Sequence, residues 1–61
     1  MTERVVDLRS RVATNEVSVE RLRDPLSDAK NLEDVARLEI QLLERETTLE
    51  TLRGQLRTIE G

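Results

Sequence analysis

Apolar residues recur at steps of three and four along the second half of the chain, at Val35, Leu38, Leu42, Leu49, Leu52, Leu56 and Ile59. A stripe on a 3.5-residue repeat belongs to a helix that packs lengthwise against another helix. The one gap of seven is occupied by Arg45, where the repeat calls for another apolar side chain. The first half carries a matching stripe, with Val5, Val12 and Val19 at heptad position a and Leu8, Asn15 and Leu22 at d. These fourteen positions are the candidate interface. Valine forms helix less readily than leucine, so the first helix depends more on packing than the second.

Between the two stripes stands Asp24-Pro25, the one strong break in the sequence. Proline lacks an amide donor, and its ring disfavours helix in the residue before it. The sequence therefore predicts a helix over about 2–23, a connection over about 24–31 and a helix over about 32–59. Thr2 is the expected N-cap of the first helix. Two restarts are open for the second. Asp24 can cap with Pro25 at the first helical position, or Asn31 can cap with Asp34 completing a capping-box-like pair. Glu33 and Asp34 suit the positive end of the second helix, and Arg53 and Arg57 its negative end. Glu33/Arg37 and Glu50/Arg53 are expected as exposed helix pairs. Gly54, inside that helix, marks either fraying or a close approach between helices.

The two helices resemble each other at an offset of 30 residues. Val5, Leu8, Val12, Val19 and Leu22 align with Val35, Leu38, Leu42, Leu49 and Leu52, and Glu20-x-Leu22-Arg23 aligns with Glu50-x-Leu52-Arg53. This reads as a duplicated helix. Because 30 is not a multiple of seven, one stripe cannot run in phase through the break. A helical hairpin avoids that difficulty. In an antiparallel pair it places Leu22 near Val35, Val19 near Leu38, Asn15 near Leu42, Val12 near Arg45, Leu8 near Leu49 and Val5 near Leu52. The same register brings Arg9 beside Glu46, which is favourable, and Glu16 beside Glu39, which is not. On this reading the flanking charges do not select the pairing.

A second stripe runs beside the first, with Val6, Ala13 and Val17 on helix one and Ala36, Ile40 and Leu43 on helix two, continued by Thr47. One hairpin seam cannot cover both stripes. The expected fold class is therefore all-α, an antiparallel coiled-coil-like hairpin that pairs with another into a four-helix bundle. Composition points the same way. Sixty-one residues with no Phe, Tyr, Trp or Cys make a marginal core without aromatic bulk or disulfides. Borrowing core from another chain is the usual remedy.

Catalysis finds no support in the residues. There is no His or Cys, and Ser10, Ser18, Ser27 and the threonines have no general base beside them. The acids Asp24/Asp28, Glu33/Asp34 and Glu44/Glu46/Glu50 show no EF-hand spacing and read as solvated helix faces. No enzyme activity, metal, cofactor or small-molecule substrate is expected. Residues 1–23 carry five Arg against four acids, and residues 24–61 carry five basic residues against nine acids, for a net −3. Arg4, Arg9, Arg11, Arg21 and Arg23 flank both edges of the seam, acids interleave, and no aromatic is present to stack on bases, so nucleic-acid binding is disfavoured. No membrane-length apolar run occurs, and the expected compartment is the cytoplasm. Met1 reads as an initiator, while nothing marks Gly61 as a native end. Asn15 and Arg45, polar at core positions, either set register and partner number or reach water beside the seam.

Residues 4–22 carry Leu8, Ser10-Arg11, Ala13, the amide Asn15, Glu16 and the run Val17-x-Val19-Glu20-x-Leu22. This third of the chain resembles the opening of the SlyX family of small bacterial coiled-coil proteins, and the segment Asp24–Leu32 departs from it. The resemblance implies a small cytoplasmic coiled-coil protein and no specific activity. The expected function is a self-associating protein–protein interaction module, structural or adaptor in kind, whose partner is itself or another helical protein. The alternative is a small chaperone or inhibitor that binds a different protein, such as a secretion substrate or a bacterial or phage target.

Overall fold

A computed structural model of the chain describes residues 3–61. Thr2, the expected N-cap, lies outside the described residues. Two helices account for nearly all of the remainder: α1 over Glu3–Asp28 and α2 over Leu32–Glu60. They pack against each other as an all-α hairpin about 46 Å long and 14 Å across. No strand occurs among the described residues.

The first helix does not stop at Arg23. It passes through Pro25 and ends at Asp28, so the connection shrinks from the expected 24–31 to residues 29–31. Pro25 falls near the last turn, and the bond it cannot donate would have gone to the carbonyl of the exposed Arg21, which water can solvate. Continuing the helix also carries Leu26, the next a position after Val19, into a half-buried place on the seam. The Ala29 amide then donates to the Leu26 carbonyl at 3.3 Å and closes the end.

Of the two restarts, Asn31 is the one that caps. Its backbone is extended (φ −127°, ψ 158°), and its Oδ1 accepts from the Asp34 amide at 2.8 Å. The Asn31 Nδ2 donates to Asp34 Oδ2 at 3.0 Å, so the return arm of the box runs to the side chain of the cap. Asp34 Oδ1 also accepts from Arg37, at 3.0 Å. Arg37 thus pairs with Asp34 and not with Glu33, because the cap already holds the Asp34 carboxylate one turn away. Arg53 likewise leaves Glu50 and crosses to α1, while Glu50 pairs with Arg57 at 3.4 Å.

The α2 helix runs past Gly54 to Glu60 without fraying. A Cβ built at Gly54 would meet only the tip of Arg57, at 3.7 Å. No close approach of α1 requires a glycine there. Gly54→Ala should therefore stabilise the protein by about 0.5–1 kcal/mol, the ordinary helix cost of glycine. A thermal melt followed by circular dichroism checks this. A fall in the midpoint would mean that the seam is tighter at Gly54 than the geometry shows.

Candidate functional site

The seam holds the only buried apolar side chains among the described residues: Val5 and Leu8 on α1, and Leu49 and Leu52 on α2. Val12, Asn15, Val19, Leu22, Val35, Leu38, Leu42 and Leu56 are half-buried along the same line. Two candidate seam residues lie outside it. Arg45 is exposed, as suits a charge that is costly to bury. Ile59, in the last turn of α2, is 39% exposed. Asn15 turns its amide back onto its own helix, with Nδ2 donating to the Arg11 carbonyl at 2.8 Å.

The charges beside the seam overturn the expected register. Arg9 does not face Glu46 but pairs with Glu60, and Glu16 does not face Glu39 but pairs with Arg53 at 2.8 Å. Each partner lies two heptads further along α2 than expected. α1 runs on to Asp28, so the reversal sits later in the chain and the last turns of α2 lie alongside the first turns of α1, which accounts for part of that offset. All four residues occupy the position after a d residue, on one edge of the hairpin. The next pair at that spacing, Arg23 and Glu46, is again of opposite charge, although Arg23 pairs here with Glu20 at 3.5 Å. A slip of one heptad in one direction would set Arg9 against Arg53 and Glu16 against Glu46. A slip the other way would set Glu16 against Glu60 and Arg23 against Arg53. Like charges thus disfavour both neighbouring registers, and the edge is complementary in the one observed. This signal was present in the sequence as alternating signs seven residues apart. A connection over 24–31 does not align these charges, whereas one that follows Asp28 brings them closer to register.

The second stripe remains open. Val6 is 54% exposed, Val17 48%, Ile40 59% and Leu43 64%, with Ala13 and Ala36 exposed beside them. Leu32 at the start of α2 is also uncovered. On each helix these residues occupy positions b and f, roughly opposite the a and d seam, so they form the back of α1 and the back of α2. A shallow hollow on α2 lies between Ala36, Ile40, Leu42 and Leu43, with Glu39 and Glu46 on its rim. No group of three or more metal-ligating side chains converges among the described residues, and no described helix is long and apolar enough to cross a membrane.

The fold and its surface define a class of protein: a small all-α hairpin with a thin seam and an uncovered apolar stripe on the back of each helix. The chain belongs to DUF4349, a family described as a domain of unknown function, whose model matches residues 1–61. No curated protein and no solved structure matches it. The likeness of residues 4–22 to the SlyX family rests on those residues alone.

Two predictions follow from the seam. Glu16→Arg should lower stability by about 0.5 kcal/mol, within the range for exposed ion pairs, and adding Arg53→Glu should recover it. Urea melts of the two single variants and the double variant measure the coupling, and additivity would show that the pair contributes nothing. Asn15→Leu should raise stability by about 1 kcal/mol, since it replaces a half-buried amide with apolar volume at a d position. A loss of stability would show that the bond from Asn15 to the Arg11 carbonyl supports the helix.

Proposed function

We propose that the protein is a non-enzymatic interaction module that acts by self-association, with two hairpins bringing four helices together. The observation that carries this reading is the exposure of Val6, Val17, Ile40 and Leu43 at helical spacing on a chain with so small a core. A seam with four buried side chains among the described residues leaves a 61-residue chain near the limit of independent folding. Covering the outer stripe offers the largest available gain, at about 25 cal/mol per Å² of apolar surface removed from water. The absence of His and Cys and the open, shallow surface favour binding over catalysis.

Sedimentation equilibrium over a wide concentration range, with helicity read on the same samples, tests the proposal. Mass above that of one chain, rising with concentration and accompanied by high helicity, is expected. A fully helical chain that stays monomeric at high micromolar concentration would overturn it. A poorly helical monomer would also overturn it and would point to a different helical protein as the missing half of the core.

A further inference from the structure

Taking self-association as its basis, we infer that the contact joins unlike faces: the back of α1 of one copy docks, parallel, on the back of α2 of the next. Three features of the chain lead there. The first is charge. Beside the stripe on the back of α2, Glu39, Glu44 and Glu46 stand against Arg37, whereas beside the stripe on α1 Arg9 and Arg21 stand against Asp7 and Glu16. Two α2 backs would therefore repel each other more than an α1 back and an α2 back do.

The second feature is volume. At the 30-residue offset of the internal repeat, parallel docking sets Val6 against Ala36, Ser10 against Ile40, Ala13 against Leu43 and Val17 against Thr47 of the next copy. The smaller partner faces the larger in each of the two central layers, so that they interdigitate as packed helices do. The third feature lies on the flanks of those layers. In a parallel pair, the residue before one layer faces the residue five positions on along the partner helix. Arg9 then meets Glu44, and Arg21 meets Glu46. Among the described residues, Arg21, Glu44 and Glu46 take no ion pair within the hairpin, whereas Arg9 is shared with Glu60. Antiparallel docking of the same stripes would keep one favourable pair, Arg9 with Glu46, but would set Glu16 beside Glu39 and Arg21 beside Arg37.

Glu3 faces Glu33 and Glu20 faces Glu50 at the two ends of the contact, which limits it to four layers spanning about 16 Å. It is therefore short and dissociates on dilution. The backs of α1 and α2 point in roughly opposite directions, so each docking event leaves one back of each kind free. Each such head-to-tail contact brings the four helices of two hairpins together, but it does not close on two copies and extends as an open string.

The chain has no cysteine, which permits a direct test by disulfide trapping. Ala13→Cys and Leu43→Cys variants, mixed and oxidised mildly, should give a cross-linked heterodimer in high yield. Ala13→Cys alone and Leu43→Cys alone should give little. Ser10→Cys mixed with Leu43→Cys, which antiparallel docking would align, should also give little. In sedimentation, Arg21→Glu and Glu44→Arg should each lower the weight-average mass without loss of helicity. A wild-type chain that self-associates but shows equal trapping in all mixtures, or no effect of either charge reversal, would overturn this contact and leave self-association standing. A wild-type chain that is monomeric throughout would overturn both.

Discussion

Burial of Val5 and Leu8 against the α2 side of the seam, where Leu49 and Leu52 are buried, is the interaction on which the hairpin depends. With no aromatic side chain and no disulfide, the chain has no second source of core. Apolar burial by itself is permissive about register, because a heptad stripe slid by seven residues presents another a or d side chain to its partner. The edge charges and the short connection narrow that freedom. Arg9 with Glu60 and Glu16 with Arg53 tie the start of α1 to the end of α2, and slips of one heptad either way bring like charges together. Each pair is exposed and contributes little to stability. Their value lies in discrimination between registers.

The polar interruptions follow the same division. Arg45 keeps its charge in water at the cost of a break in the stripe. Asn15 donates from its amide nitrogen to the Arg11 carbonyl of its own helix. Both leave the centre of the seam thinner than its distal end, where the four buried side chains of the described residues gather. The stripes on the backs of the helices then become the main apolar resource of the molecule. Their exposure is what turns a question of fold into one of association.

Much of the fold was legible in the residues. The 3.5-residue stripes, the proline and the Asn31/Asp34 pair point to two helices and a reversal between them, because helix packing and capping are read from local spacing. The end of α1 was not legible. Proline chemistry argues for a stop at Arg23, and only the half-burial of Leu26 against the partner helix shows why the chain continues to Asp28. That misplacement carried over to the register and hid the complementarity of the edge charges. The candidate surface was legible as a set of residues, but its division between two opposite backs was not.

The sequence by itself determined that this chain is helical, that it pairs helix against helix, and that it has more apolar face than one seam can use. These are consequences of spacing and composition, which act over one or two turns. Tertiary structure alone decided where the chain reverses, which charges meet across the seam and which stripe stays open. Those outcomes depend on residues far apart in sequence, such as Arg9 and Glu60, whose energies exist only once the helices lie side by side.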